Sequence, residues 1–129
     1  MWSKLRGRLN NSDSQHWTES HAARYLKDQG LHLKEKNYRC KLGEIDLIMV
    51  DRDNTLVFVE VRYRKQHRFG TPLETIDFNK QQKLVRAATH YLQQKNLLDC
   101  CPCRFDVVAV TTIDTISDET DVNWIKNAF

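Results

Sequence analysis

Two acidic side chains interrupt apolar segments of this sequence. Asp46 lies within the run 45–50 and Glu60 within the run 56–61, and every other residue of both runs is apolar. Continuous apolar runs of this length are typical of strands that are buried on both faces. A carboxylate in such a strand is costly to bury unless it is paired, protonated or bound to a cation. The two acids are therefore the first candidates for chemistry.

The polar segment between the two runs predicts a β-hairpin. Residues 51–54, Asp-Arg-Asp-Asn, are typical of a turn. In a hairpin that turns about Asp53, residues whose numbers sum to 106 lie opposite each other on the two strands. Asp46 therefore lies opposite Glu60. Directly opposed Cβ atoms lie about 4.5–5.5 Å apart, so two ionised carboxylates there would repel each other strongly. A slip of one residue would instead send the acids to opposite faces of the sheet.

A divalent cation between the two carboxylates would remove this repulsion. Carboxylate oxygens, together with a backbone carbonyl and water, are the ligands that Mg²⁺ and Mn²⁺ prefer. We therefore predict that Asp46 and Glu60 bind Mg²⁺ or Mn²⁺. The alternative is that both acids lie near the open end of the hairpin and form ion pairs with Arg62 or Arg39, which would make them structural.

Basic side chains gather in two clusters further along the chain. The net charge of +3 and the pI near 8.7 permit nucleic-acid binding without requiring it. The clusters are candidates for contacts to phosphates, and the alternative is a solvated basic face. The candidates are Arg62, Arg64, Lys65 and Arg68 in the first cluster and Lys80 and Lys83 in the second.

The remaining pattern predicts an α/β fold that positions these side chains. Helices must cover both faces of the apolar strands, and a helix that connects two strands of one sheet makes them parallel. We predict the order αβββαβ, with a mixed central sheet flanked by helices in a three-layer sandwich. The predicted elements are a helix over 14–29, strands over 31–39, 45–50 and 56–61, a helix over 79–95, a strand over 105–110 and a weaker last strand over 122–125.

Length and composition are those of one globular domain, which we expect to span 1–129. The chain has 129 residues, of which 40% are hydrophobic and 29% charged. No apolar window approaches the length of a membrane span and no signal peptide is evident, so we expect a cytoplasmic protein without a membrane partner. The four cysteines should then be thiols, because that compartment is reducing. Cys100, Cys101 and Cys103 offer one half of a zinc pattern without a clear second half.

Several segments of the sequence resemble the YraN family of uncharacterised bacterial proteins. The similarity covers most of the chain, and it implies a restriction-endonuclease-like PD-(D/E)XK fold related to archaeal Holliday-junction resolvases. The segments that carry it are Gly-Glu-Ile-Asp-Leu-Ile at 43–48, Phe-Val-Glu-Val-Arg-Tyr-Arg at 58–64, Arg-Phe-Asp-Val-Val-Ala at 104–109 and Trp-Ile-Lys-Asn-Ala-Phe at 124–129.

The resemblance implies a set of metal ligands. Asp46 would be the central ligand, Glu60 the second, and Glu19 on the first helix an additional acid. The backbone carbonyl of Val61 would complete the protein's share of the coordination shell. Lys80 would be a candidate for contacting the scissile phosphate or the attacking water, and Gln81 is the alternative for that contact.

Two residues depart from the pattern that the resemblance implies. Ile45 stands where the superfamily has proline, and Arg62 stands where it has a catalytic lysine. Lysine can lose its proton and help to activate water, whereas arginine stays charged at any workable pH. Arg62 would then stabilise charge on the phosphate as a fixed cation, and the metal ion would have to generate the nucleophile.

These observations predict a metal-dependent endonuclease that hydrolyses DNA phosphodiester bonds. No recognition helix or zinc finger is evident, so we expect a structure-selective or non-specific substrate, with branched DNA suggested by the resolvase analogy. We expect DNA rather than RNA as the partner, and the analogy also allows a homodimer. The alternative function is a catalytically weak or inactive nucleic-acid-binding protein of the same fold. A protein-interaction adaptor is a third class, and it would leave the opposed acids unexplained.

Overall fold

The computed structural model describes residues 17–65, 75–114 and 119–129. Within these ranges the chain forms helices and strands in the order αβββαββ. This order has one more strand than the predicted αβββαβ, because the weak strand expected over 122–125 is a full strand that begins earlier. Polar residues alternate along this strand, which explains why its sequence signal was weak. The elements are α1 over 17–28, β1 (His32–Cys40), β2 (Gly43–Val50), β3 (Leu56–Arg64), α2 (Phe78–Gln94), β4 (Cys103–Asp114) and β5 (Glu119–Ile125).

The five strands form one mixed sheet in the order β1-β2-β3-β4-β5. Strands β3 and β4 are parallel, and the other neighbours are antiparallel. Helix α2 connects the parallel pair, which confirms the predicted crossover. In the hairpin, Ile48 pairs with Phe58 and Val50 with Leu56. The residue numbers of both pairs sum to 106, so the predicted register is confirmed for residues 47–50 and 56–59.

The two helices cover opposite faces of the sheet. Ala22 and Leu26 of α1 pack against one apolar cluster, which includes Val59 of β3. Leu84 and Tyr91 of α2 pack against the other cluster, which includes the neighbouring residue of the same strand, Phe58. Because successive side chains of a strand point to opposite faces, the two clusters make a three-layer α/β sandwich of the predicted restriction-endonuclease-like type.

Helix α2 begins one residue earlier than predicted, and its start is set by a side-chain cap. The Asp77 carboxylate accepts a hydrogen bond of 2.8 Å from the backbone N–H of Lys80. Leu84, Ala88 and Tyr91 recur at helical spacing and are buried against the sheet. Val85 is also apolar, but it lies outside this buried face and is 40% exposed.

Asp106 is the most deeply buried of the acids, and it organises the C-terminal end of the chain. Its carboxylate accepts hydrogen bonds of 3.1 Å from Arg104 Nε, 3.0 Å from Trp124 Nε1 and 3.0 Å from the backbone N–H of Asn127. Asp106 pairs in register with Val59, so it faces away from the Glu60 side of the sheet. Its role is therefore structural.

The four cysteines, Cys40, Cys100, Cys101 and Cys103, are free thiols, as predicted. No helix in the described parts of the chain has both the length and the apolar character needed to cross a membrane.

We predict that Asp106→Ala lowers the free energy of unfolding by about 2–4 kcal/mol, because Arg104 Nε, Trp124 Nε1 and the backbone N–H of Asn127 lose their acceptor. Arg104 keeps its ion pair of 2.9 Å with Asp51. Urea denaturation followed by circular dichroism measures this change. Asp121→Ala, on the exposed side of β5, is the matched control and should change stability by less than about 0.5 kcal/mol. Equal effects of the two substitutions would contradict a structural role for the Asp106 network.

Candidate metal centre

Asp46 and Glu60 lie side by side on the two central strands. The register runs up to the pair Leu47–Val59, and its next step opposes Asp46 and Glu60. Both residues are buried, at 6% and 8% exposed. The two carboxyl groups are close enough to raise each other's cost of ionisation, so one proton shared between them would remove their repulsion. The predicted pair is thus brought together on one face.

The environment of the pair disfavours two negative charges. Burial, followed by the charge of Asp46, raises the pKa of Glu60 to about 7, although Lys80 and Arg62 act in the opposite direction. Burial also raises the pKa of Asp46, while the hydrogen bond of 2.8 Å that its carboxylate accepts from the backbone N–H of Val61 lowers it. The second negative charge is therefore stable near neutral pH only when positive charge is added beside it.

Two cations converge on Glu60 from different elements. Lys80 Nζ lies 3.6 Å from Glu60 Oε2, and Arg62 Nη1 lies 4.0 Å from the same oxygen. Lys80 comes from the first turn of α2, so it reaches the carboxylate from the layer above the sheet. The structural alternative holds in part, because Arg62 does contact Glu60. It does not hold for Arg39, which pairs with Glu44 at 3.2 Å.

Glu19 approaches the pair from the other helix. It is buried at 4% exposed, and burial raises its pKa to about 7, with a further contribution from the charge of Asp46. The side chain of Asn37 forms a hydrogen bond with Glu19 that lowers this pKa. The structure thus brings the third predicted acid into the electrostatic field of Asp46.

Asn37 is a site residue that the sequence analysis missed. It lies in β1 between the pairs Lys36–Leu47 and Tyr38–Ile45, level with Asp46, and its φ is 53°. A positive φ is uncommon outside glycine, and Asn is among the residues that tolerate it. Asparagine is also depleted in strands, so its presence there was the available signal.

The donor set fits a hard divalent cation that keeps part of its water. In residues 17–65, 75–114 and 119–129, no three His, Cys, Asp or Glu side chains are arranged to hold a metal ion together. Mg²⁺ is usually bound through one or two carboxylates and retains several waters. Asp46 and Glu60 meet that requirement with oxygen atoms alone, and they offer none of the sulfur or imidazole ligands typical of zinc.

Three of the other predicted basic residues follow Glu60 or Lys80 along the chain. Arg64 ends β3 on the same strand as Glu60, and Lys65 follows it and is exposed. Lys83 lies one turn after Lys80 on α2. Arg68 falls outside the described residues. Phosphate contacts by these residues stay predictions.

Gln81, the alternative to Lys80, is already engaged within the fold. Its Nε2 donates a hydrogen bond of 2.9 Å to the carbonyl oxygen of Ile76. Lys80 instead directs its ammonium group at Glu60. Of the two candidates on α2, Lys80 is therefore the one that the structure brings to the acids.

A mixed sheet between helices, with opposed acids on its central strands, defines the class of this protein as a restriction-endonuclease-like α/β fold. Residues 18–110 match the model of the Uncharacterised protein family UPF0102. The chain belongs to this family, which confirms the resemblance to YraN proteins.

Curated relatives with the same family name cover most of the chain. A UPF0102 protein of Stutzerimonas stutzeri (strain A1501) is 50% identical over 111 residues, which are 86% of this chain and 89% of the relative. A UPF0102 protein of Nitrosococcus oceani is 47% identical over 86% of both chains. One from Psychromonas ingrahamii is 50% identical over 86% of this chain and 84% of its own.

The raised pKa of Glu60 predicts that the metal-free protein loses stability as the pH rises. The pKa of this carboxyl is about 7 in the folded protein and 4.5 in the unfolded chain. The protonated carboxyl therefore stabilises the fold fully below about pH 4.5. This contribution is lost as the pH rises through 7 and is at most about 3 kcal/mol. Thermal melts in EDTA from pH 4.5 to 8 measure the loss.

Glu60→Gln should reduce this pH dependence by about half, because the neutral amide does not titrate, while Glu19, whose pKa is also raised to about 7, still does. Asp28→Asn, at an exposed position of α1, is the matched control and should leave the dependence unchanged. Mg²⁺ should raise the melting temperature of the unsubstituted protein more at pH 8 than at pH 5. A stability that is flat from pH 4.5 to 8 would contradict the shared-proton description of the acid pair.

Proposed function

We propose that this protein is a metal-dependent endonuclease that hydrolyses DNA phosphodiester bonds. The observation that carries the proposal is the buried Asp46–Glu60 pair, which is too short of positive charge to ionise fully near neutral pH. A purely structural pair would be served by a complete set of ion partners. In the described residues, Lys80 and Arg62 both contact the pair at a single atom, Glu60 Oε2.

The residues of the centre divide the chemical work. When bound, Mg²⁺ or Mn²⁺ supplies positive charge to the phosphate and lowers the pKa of a water molecule. Asp46 and Glu60 would hold the ion, with the Val61 carbonyl as the backbone ligand. Glu19, which has a pKa of about 7, would bind a water molecule and could exchange a proton with it near neutral pH.

Lys80 supplies the ammonium group that the strand lacks at position 62. Its Nζ and the Arg62 guanidinium reach the same oxygen of Glu60, at 3.6 and 4.0 Å. Lys80 therefore stands within one side-chain movement of a phosphate bound at the acids, where it contacts the scissile group or the attacking water. Arg62 adds a fixed positive charge that stabilises the pentavalent phosphate.

The alternative function is nucleic-acid binding with little or no cleavage. The observation that favours it is Arg62 itself, since an arginine cannot take part in proton transfer at workable pH. Both functions use the same basic residues to contact phosphates, and both predict a binding affinity that falls as the salt concentration rises. A measurement of DNA cleavage distinguishes the two functions.

We predict that the protein cleaves DNA in Mn²⁺ or Mg²⁺ and not in EDTA. Asp46→Asn and Glu60→Gln should each lower the single-turnover rate at least about 100-fold, because each removes a charged oxygen ligand. Asp28→Asn is the control variant. Gel assays on labelled linear, flapped and four-way-junction DNA measure the rates. Cleavage that survives both acid substitutions would refute the endonuclease, and salt-sensitive binding without cleavage would establish the alternative.

We also predict that positions 62 and 80 compensate for each other. Lys80→Met should lower the single-turnover rate about 100-fold, but less than tenfold in an Arg62→Lys background, because the strand lysine then supplies the ammonium group. The four rates of this double-mutant cycle measure the coupling. Lys27→Met, at an exposed position of α1, is the control. Additive losses would show that Lys80 does not act in the place of the strand lysine.

A further inference from the structure

A cleft with a volume of about 430 Å³ lies beside the candidate metal centre. One wall is the turn between β1 and β2, and the other is the first half of α2. Lys80 and Glu44 belong to its lining. Lys80 contacts Glu60, and the charge of Glu44 raises the pKa of Asp46. The cleft, which we call the turn cleft, is therefore continuous with the acid pair.

The turn lies directly against the helix. A Cβ atom at Gly43 would lie 3.0 Å from the carbonyl oxygen of Lys83, and the φ of this glycine is +156°. Such a contact is tighter than side-chain atoms normally allow, so the turn approaches α2 as closely as the backbone permits. The two walls of the turn cleft are thus held at a set distance.

The lining of the turn cleft is strongly basic. It contains four cationic residues and one acidic residue. Arg39 pairs with Glu44, and Lys80 with Glu60. In the described ranges no carboxylate pairs with Lys41 or Lys83, the other two cations of the lining. The turn cleft therefore presents two ammonium groups to an anionic ligand.

The turn cleft also has apolar surface. Leu42, at the tip of the turn, is 48% exposed, and the partly exposed Cys40 also belongs to the lining. An inorganic anion needs no apolar contact. A nucleotide does, because its base binds to apolar and aromatic surface while its phosphate binds to cations. A volume of about 430 Å³ lies within the usual range of small-ligand sites.

We propose that the turn cleft binds one unpaired nucleotide of the DNA substrate, next to the scissile phosphate. Its base lies against the exposed side chain of Leu42, and its phosphate contacts Lys41 and Lys83. A base that is stacked in a duplex cannot enter a concave site, so the nucleotide must come from a single strand, a bulge or a flap. This inference rests on the proposed endonuclease and names its substrate class as DNA with an unpaired nucleotide at the cut.

The test compares the binding of three fluorescein-labelled DNAs by fluorescence anisotropy. They are a linear duplex, the same duplex with a one-nucleotide bulge, and a single strand of equal length. Measurements in Ca²⁺ and again in EDTA separate binding from cleavage. We expect bulged and single-stranded DNA to bind about tenfold more tightly than the linear duplex, which is within the range of one base contact.

Two sets of substitutions assign this preference to the turn cleft. Lys41→Glu with Lys83→Glu should reduce the preference to less than twofold. Lys27→Glu with Lys34→Glu makes the same change in net charge at exposed positions and should leave the preference near tenfold. Leu42→Ser should also reduce the preference, but without changing the salt dependence of binding, because it removes no phosphate contact.

The outcomes distinguish this inference from the endonuclease itself. Equal affinity for bulged and linear DNA, or a preference that survives Lys41→Glu with Lys83→Glu, would overturn the nucleotide site. Metal-dependent cleavage without any preference would leave the endonuclease standing and remove the site. A preference without cleavage would leave the nucleotide site standing and remove the endonuclease. Binding of a free deoxynucleoside monophosphate as tight as that of bulged DNA would identify a small-molecule site and overturn the DNA assignment.

Discussion

The antiparallel register between β2 and β3 is the constraint on which the candidate site depends. It opposes Asp46 and Glu60 because the hairpin turns about Asp53. A slip of one residue would send the acids to opposite faces of the sheet, and it would also separate Ile48 from Phe58, which pack together in the cluster under α2. Burial of the hydrophobic residues on both faces thus stabilises the same register that places two carboxylates together. The cost of bringing them together appears as raised pKa values, and a divalent cation removes that cost.

The two helices above and below this hairpin supply further residues of the site. Helix α2 follows β3 along the chain and crosses the sheet, so its first turn brings Lys80 to Glu60. Helix α1 covers the other face and brings Glu19 into the field of Asp46. The same position of α2 against the β1–β2 turn creates the turn cleft. One packing arrangement therefore produces the acid pair, its cations and the adjacent basic surface.

Features that depend on neighbours in sequence were predictable. The hairpin register followed from the turn and the two apolar runs, and the pairing of Arg104 with Asp106 followed from strand alternation. The ion pair of Arg39 with Glu44 across the first hairpin is local too, but Arg39 was considered only as a partner for the central acids. Features that depend on distant segments were not predictable. Asn37 escaped notice because its contact with Glu19 joins a strand to a helix.

The sequence by itself determined the α/β class, the central hairpin and the identity of the two opposed acids, because alternation and turn chemistry are local properties of the chain. Only the tertiary structure decided which cations reach the acids, which residues of α2 contact them, and that a basic cleft opens beside them. These arrangements depend on how α2 docks on the sheet. A helix presents several basic residues at similar spacing, and packing selects one of them, Lys80, to face Glu60.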